Sequence, residues 1–268
     1  MHDEVTKPSS GPTALSGDPV ALGRRNQGNP LRKRFYTVAG VAPHDEGFAV
    51  VLDGRPVLTP AKAPLLLPTF AAAEALAGEW QAQGAEIDPA EMPLTRIVNS
   101  AIDGVAQTMD AVVEEIAHYA GSDLVCYRAE GPESLVTAQA DAWNPVLAFA
   151  EADMGARFLC VAGIVHVAQP DASMAAVRVK LNRVTGTGAA APITLACLSV
   201  MTSLTGSLLI VLARVSNAMS LTEAWAAAHV DEDFQMRRWG ADQEAMDRRT
   251  RRFAEMAAAD RLCQLVRS

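Results

Sequence analysis

The sequence is poor in aromatic side chains, which make up 5% of its 268 residues, although hydrophobic residues make up 50%. Alanine is frequent among the hydrophobic residues. A β-sandwich core depends on aromatic and β-branched side chains, whereas an alanine-rich chain favours closely packed helices. At this length the chain can build one large domain or two modest ones, with an ample hydrophobic core.

Cysteine and histidine are also sparse, and neither occurs at a spacing typical of a metal site. The four cysteines form no CxxC pair, the five histidines are scattered, and a chain of this length needs no disulfides. We therefore expect no metal ion, and free, buried thiols in a reducing compartment. The cysteines are Cys126, Cys160, Cys197 and Cys263.

Motifs for catalysis and nucleotide binding are absent from the sequence as well. No serine lies in a GxSxG elbow. The run 185–190 partly resembles a dinucleotide-binding loop, but it lacks the third glycine, a clear preceding strand and the lysine of a phosphate-binding loop. We interpret this run as a linker, and the sequence predicts no cofactor.

Charge is distributed unevenly along the chain. The formal net charge of −8 combines +3 over residues 1–34, −14 over residues 35–156 and +3 over residues 157–268. Because phosphate binding needs a basic surface, the acidic front half argues against nucleic acid as a ligand. The acidic charge is compatible with a protein or metabolite partner, and it is equally compatible with a role in solubility alone.

The first residues, Met1 to Glu4, are acidic and are not followed by an apolar segment. A secretory signal would need such a segment, and a mitochondrial transit peptide would be rich in arginine and free of acids. The expected location is therefore the cytoplasm of a bacterium.

One uncharged run, residues 184–213, has the length of a membrane-spanning helix. Gly186, Gly188 and Pro192 interrupt its beginning, and hydroxyl side chains punctuate the remainder. The tripeptide Thr205-Gly206-Ser207 is typical of a joint between helices. This pattern favours two buried core helices over membrane insertion.

Residues 1–33 are rich in glycine, proline and polar residues and are predicted to be a disordered tail. A small N-terminal domain of mixed α and β structure is predicted over residues 34–92. Apolar runs at 35–38, 48–52 and 55–58, with the turn signal Asp53-Gly54, predict an antiparallel meander. Thr69 is expected to cap a helix that stops at Gly84.

Residues 93–268 are predicted to form a larger, mainly α-helical domain, so the predicted fold class is α+β. Asn144-Pro145 is expected to divide one helical segment into two. Residues 158–167 fit a strand or an extended core segment equally well. Ser220-Leu221-Thr222-Glu223 has the capping-box pattern, and Asp242 is expected to cap the last helix.

The segment 230–240 combines three consecutive acids, Asp231-Glu232-Asp233, with Gln235 and Trp239. Acids in the first turn of a helix favour its N-terminal dipole, which explains one or two of them without any function. However, Asp231, Gln235 and Trp239 recur every four residues and form one helical stripe with Glu232. Carboxylate, amide and indole groups can together hold an arginine-bearing protein surface. Spacing alone does not decide between the two interpretations.

Short motifs are distributed over residues 34–262. They are Arg34-Phe35-Tyr36, Leu52-Asp53-Gly54-Arg55-Pro56 with Thr59-Pro60, Glu79-Trp80 with Gln83, Met92-Pro93-Leu94-Thr95, Ala101-Ile102-Asp103, Tyr119 with Ser122-Asp123, Cys126-Tyr127-Arg128, Gln139 with Trp143, Thr205-Gly206-Ser207, and Asp231-Glu232 with Gln235, Trp239-Gly240 and Asp242. In this order they resemble the mitochondrial and α-proteobacterial Atp12 family, which are assembly chaperones of the F1 part of ATP synthase.

The resemblance implies a monomeric, ATP-independent chaperone that binds the unassembled F1 α subunit and promotes F1 assembly. It implies no catalysis and no bound nucleotide, and homologues of the family act in the mitochondrial matrix. The residues expected to contact the partner are Glu232, Asp231, Gln235, Asp233 and Trp239. The alternative is a metabolic enzyme that uses Asp231 and Glu232 as acid and base.

Overall fold

A computed structural model describes residues 31–240 and 242–268, and over these residues the fold is α+β, as predicted. Residues 1–30, which are most of the predicted tail, lie outside the described part of the chain. Most of the strands lie near the beginning of the described part of the chain. They are β1 Arg32–Lys33, β2 Ala39–His44, β3 Gly47–Leu52, β4 Arg55–Pro56, β5 Leu66–Leu67, β6 Glu86–Ile87, β7 Tyr127–Arg128 and β8 Val161–Ala162.

The predicted antiparallel meander is present and consists of β2, β3 and β4. Asp53 and Gly54 have φ values of 47° and 77°, the positive values that a type I′ turn requires. The first strand of the meander lies at 39–44, however, and the expectation of a strand at 35–38 was wrong. Tyr36 is buried there instead, and its hydroxyl donates to the Trp80 carbonyl at 2.6 Å, so this run packs against a helix rather than pairing.

Strand β1 occupies the last two residues of the predicted tail. Arg32 and Lys33 pair antiparallel with Ile87 and Glu86 of β6. The hydrophobic periodicity of the sequence could not indicate this pairing, because a strand of two residues is too short to show an alternation of polar and apolar residues. Its partner strand also lies far along the chain.

Gly47 begins β3 at φ +139°, and a Cβ there would lie 2.4 Å from the Leu67 carbonyl oxygen in β5. We expect Gly47→Ala to lower the free energy of unfolding by about 2 kcal/mol, because β5 must shift or residue 47 must hold a strained conformation. Denaturant unfolding measures this loss. The matched control is Gly54→Ala, where a Cβ meets nothing within 4 Å. If both variants lose the same stability, the clash with β5 is not the cause.

Helices make up most of the remaining chain. They are α1 Phe70–Ala82, α2 Pro93–Asp103, α3 Met109–Tyr119, α4 Glu133–Met154, α5 Asp171–Thr185, α6 Ala190–Thr205, α7 Leu208–Val215, α8 Leu221–Ala228, α9 Val230–Trp239 and α10 Gln243–Arg267.

The predicted N-caps of three helices are confirmed. The Thr69 side chain accepts from the Ala72 amide, and the Asp242 side chain accepts from the Ala245 amide. Ser220 and Glu223 form the reciprocal capping box at the start of α8. Such side-chain–backbone bonds are local, which is why the sequence places these helix starts well.

The expectation that Pro145 would divide a helix was wrong, because α4 continues through it. A proline inside a helix removes one amide donor, which leaves the carbonyl of residue i−4 without its partner. Here that carbonyl belongs to Asp141. Both Asp141 and Pro145 are exposed. Water can therefore satisfy the carbonyl, and the helix is not forced to end.

The uncharged run forms two buried helices, α6 and α7, as predicted, with Gly206 between them at φ +68°. Asp123 is buried where α7 begins, and its carboxylate accepts from the Leu209 amide at 3.0 Å. Within residues 31–240 and 242–268, none of the helices combines the length and apolarity needed to cross a membrane.

Residues 158–167 are mainly irregular, and only Val161–Ala162 pair, in parallel with β7. The segment is not a core element, since Ile164 is 97% exposed and Val165 is 70% exposed. Cys160, which also lies here, is exposed, whereas the other three cysteines are buried and all four are free. The expectation of buried thiols was therefore wrong for Cys160.

The predicted domain boundary at residues 92 and 93 lies where one turn of 3-10 helix, Pro89–Glu91, leads into α2. Hydrogen bonds cross this boundary: the Glu79 carboxylate on α1 accepts from the Leu94 and Thr95 amides at 2.7 and 2.8 Å. Buried side chains from both sides belong to one hydrophobic cluster. The division into two domains stays a prediction.

Helix α10 also connects the two parts of the chain. It packs against α6, α2 and α1. The Thr69 hydroxyl donates to the Leu265 carbonyl at 2.7 Å, and Arg96 on α2 pairs with Glu255 at 2.8 Å. The helix that follows the candidate site is thus held against the first helix of the fold.

Candidate protein-binding surface

The candidate surface is carried by α9, which follows α8 with only His229 between them. His229 is buried, its Nδ1 lies 2.8 Å from the Trp225 carbonyl oxygen, and its ring lies against the Trp225 indole with centroids 3.8 Å apart. Burial lowers the pKa of His229, against smaller opposing effects of the Trp225 carbonyl and Glu232, so the ring is neutral at pH 7. This contact between the two rings holds the residue that joins α8 to α9 in the core.

The three consecutive acids have different surroundings, although they share the first turn of α9. Asp231 is half-buried and accepts from Gln139 Nε2 at 2.7 Å. Asp233 pairs with Arg249 at 2.6 Å. Glu232 lies 3.8 Å from the same guanidinium, and its side chain is 58% exposed. Two acids therefore tie α9 to α4 and α10, and Glu232 is the most accessible of the three.

Gln235 and Trp239 continue the predicted stripe on the exposed side of α9. Gln235 is exposed, and Trp239 is 77% exposed, with the Arg238 guanidinium 5.5 Å from its ring centroid. Trp is among the residues that contribute most to protein interfaces, because covering its ring removes a large apolar area from water. The structure thus places Glu232, Gln235 and Trp239 where a partner can reach them.

A groove of about 400 Å³ runs between α9 and α10, and basic side chains line its α10 side. The surface is therefore of mixed charge, which the sequence analysis missed, because the arginines belong to a different helix. Their clustering on one face of α10 was the available signal. The lining residues are Asp231, Glu232, Gln235, Met236, Ala245, Arg248, Arg249 and Arg252.

A second groove, of about 460 Å³, lies on the other side of α9 and was also missed by the sequence analysis. Its floor is mainly apolar and comes from α4, α7 and α8, while Asp233 and Arg237 of α9 contribute charge. Apolar residues at helical spacing on α4, namely Ala138, Ala142, Val146 and Phe149, were the signal for it. Helix α9 is thus a ridge with a groove on each side.

Comparison with known proteins identifies the family to which this chain belongs. Residues 33–151 match a family model described as ATP12 chaperone protein. The crystal structure of Atp12 from Paracoccus denitrificans is 39% identical in sequence, has a TM-score of 0.79, and matches over 88% of this chain and 98% of that chain. This chain belongs to the Atp12 family.

Two further solved structures extend the match. A single-residue mutant of the P. denitrificans Atp12p is 38% identical, with the same TM-score of 0.79 and the same coverage of 88% and 98%. A protein from Agrobacterium tumefaciens, provisionally described as a chaperone, is 44% identical, has a TM-score of 0.84, and matches over 94% of this chain and 92% of its own. The Atp12 fold therefore extends over nearly the whole chain.

Membership of the Atp12 family makes this chain an assembly chaperone, and it suggests a protein partner in ATP synthase assembly. It favours the chaperone over the alternative of a metabolic enzyme. The local geometry agrees, since Asp231 is engaged by Gln139 and Glu232 is solvent-exposed. Acid–base catalysis usually relies on carboxylates held in a more enclosed pocket.

Proposed function

We propose that this Atp12-family chaperone binds the unassembled F1 α subunit of ATP synthase as a monomer, without ATP, in the bacterial cytoplasm. A subunit that awaits its neighbours exposes apolar and charged surface, which is prone to aggregate. A partner that covers this surface reversibly would keep the subunit available until F1 forms.

The exposure of Glu232, Gln235 and Trp239 on one ridge supports the proposal most directly. In the proposed complex, Trp239 is the apolar anchor and Glu232 accepts from an arginine of the α subunit. Asp231 and Asp233 border the contact and position α9 through Gln139 and Arg249. Arg249 already lies near Glu232, so an arginine of the partner must either share the Glu232 carboxylate with Arg249 or displace Arg249 from it. This competition would weaken the contact, which suits a complex that has to dissociate when F1 forms.

We expect Glu232→Lys to weaken binding of purified F1 α by tenfold or more, which corresponds to about 1.4 kcal/mol. The new ammonium would face both Arg249 and the partner's cation, and like charges across an interface oppose association. Affinity is measured by titration of α with each purified chaperone variant, alongside co-purification from cells.

The matched control is Glu115→Lys, the same charge reversal at an exposed position on α3. It should leave the affinity unchanged. Circular dichroism and thermal melting establish that each variant is folded. A folded Glu232→Lys protein with wild-type affinity would remove α9 from the contact, whereas failure of the wild type to bind α at all would overturn the proposed partner.

A further inference from the structure

Two cysteines lie side by side at the only parallel strand pair in the described part of the chain. Tyr127 of β7 is in register with Val161 of β8. The residues immediately before them are Cys126 and Cys160. Cys126 ends the 3-10 turn Leu124–Cys126, and Cys160 directly precedes β8. Continuing the register back by one residue brings the two cysteines opposite each other, at the spacing of adjacent strands, which a disulfide can bridge.

The two thiols differ in access to solvent. Cys160 is exposed, whereas Cys126 is completely buried behind it. Burial raises the pKa of the Cys126 thiol, and the nearby Asp123 carboxylate and Cys160 add to this effect. An exposed thiol that can meet a dissolved oxidant is therefore backed by a second thiol that the oxidant does not reach directly. This arrangement is typical of an attacking and a resolving cysteine.

The other two cysteines provide an internal comparison. Burial raises the pKa of both Cys197 on α6 and Cys263 on α10, and Cys263 adds to the rise for Cys197. Neither is exposed, however. The first step of disulfide exchange needs a thiolate that a small molecule can reach, so this second pair should stay reduced in the folded protein.

We propose that Cys126 and Cys160 form a reversible disulfide by exchange with a low-molecular-weight disulfide such as oxidised glutathione. The Cys160 thiolate attacks one sulfur of oxidised glutathione, the glutathione S–S bond breaks, and one glutathione thiolate leaves. Cys126 then attacks the Cys160 sulfur, the bond from that sulfur to glutathione breaks, and the Cys126 proton passes to the second glutathione, which leaves as the thiol. Two protein thiols are oxidised to one disulfide, and one oxidised glutathione is reduced to two glutathione molecules.

The disulfide would connect β7 to a segment that is otherwise weakly held. Strand β8 is two residues long, and the residues after it include the exposed Ile164 and Val165. The contact of the Tyr127 hydroxyl with His166 Nδ1, at 3.3 Å, is long for a hydrogen bond. Oxidation would therefore restrain residues 161–166 and the apolar side chains they present, whereas reduction would release them. In a reducing compartment, a disulfide of this kind forms only when an oxidant is present, so it acts as a redox sensor rather than as a permanent structural disulfide.

Peptide mapping of the full-length protein tests the proposal. The reduced protein is incubated with oxidised glutathione, remaining thiols are alkylated after unfolding, and the digest is analysed by mass spectrometry without reduction. We expect one linked pair of peptides that contains Cys126 and Cys160, with Cys197 and Cys263 alkylated. Wild-type protein that stops at a glutathione adduct on Cys160, or that links Cys197 to Cys263 instead, overturns the proposal.

Two variants separate the steps. Cys160→Ser changes an exposed residue and should abolish both the adduct and the link. Cys126→Ala should accumulate the glutathione adduct on Cys160, because the resolving thiol is gone. Hydrogen exchange gives an independent readout that needs no variant: amides of residues 161–166 should exchange more slowly in the oxidised wild type than in the reduced wild type. Equal exchange rates would show that the disulfide does not restrain the segment.

Discussion

Replacing Trp143 with alanine is expected to lower the free energy of unfolding by about 4 kcal/mol. Trp143 lies on α4 and is only 1% exposed. Its Nε1 donates to the Ala227 carbonyl at 2.7 Å, and the Arg128 guanidinium lies 5.2 Å from its ring centroid. The substitution therefore leaves a large cavity and, in addition, a buried carbonyl without its donor. Denaturant-induced unfolding followed by circular dichroism measures the loss.

Two other substitutions serve as comparisons for the loss of stability in Trp143→Ala. Trp143→Phe keeps most of the ring volume but still removes the bond to Ala227, so we expect a smaller loss of about 2 kcal/mol. Trp239→Ala removes an indole that is 77% exposed and should change stability by less than about 0.5 kcal/mol. A Trp143→Ala variant as stable as Trp239→Ala would mean that Trp143 does not hold α4 against the end of α8.

The second large effect is expected from the ionisation of Asp123. Burial raises its pKa to about 6, although hydrogen bonds from Ser207 and the Leu209 and Val125 amides oppose that shift. In the unfolded chain an aspartate has a pKa of about 3.9. Between these two values the folded state holds a proton that the unfolded state has lost, so the stability contributed by this group falls as pH rises. The difference of about 2 pK units corresponds to about 3 kcal/mol between pH 4 and pH 7.

Asp123→Asn is the variant that isolates this ionisation, because it keeps the shape of the side chain and one acceptor oxygen. Unfolding free energies of wild type and variant are measured side by side from pH 4 to pH 7. Other acids, including the half-buried Glu79, titrate in both proteins, so their contributions cancel in the difference. Relative to the variant, the wild type should lose stability as pH rises and level off above pH 6. A difference independent of pH would show that Asp123 keeps an ordinary pKa.

The parts of the fold that the sequence predicts well depend on bonds between near neighbours. Thr69, Ser220 and Asp242 cap helices through amides three residues away, and Asp53-Gly54 turns one strand directly into the next. The parts it misses depend on distant partners. Arg32 and Lys33 pair with β6, and Pro145 stays helical because the surrounding fold leaves Asp141 exposed to water.

The same distinction applies to the candidate surface. The sequence identifies Asp231, Glu232 and Asp233 as a group and cannot rank them. Their ranking comes from Gln139 on α4 and Arg249 on α10, which engage two of the acids and leave the third most accessible. Neither partner stands at a helical spacing from the acids, so only the tertiary structure separates anchoring carboxylates from the one available for binding.

The return of α10 to α1 has a consequence for synthesis on the ribosome. Met256, Ala259 and Leu262 are fully buried, and they cover α6, α2 and α1, which are all translated earlier. The bond from Thr69 to Leu265 cannot form until residue 265 has left the exit tunnel. Until α10 has been translated, the apolar faces of these helices that α10 covers stay exposed to solvent. This assembly chaperone thus passes, in its own synthesis, through a state with exposed apolar surface.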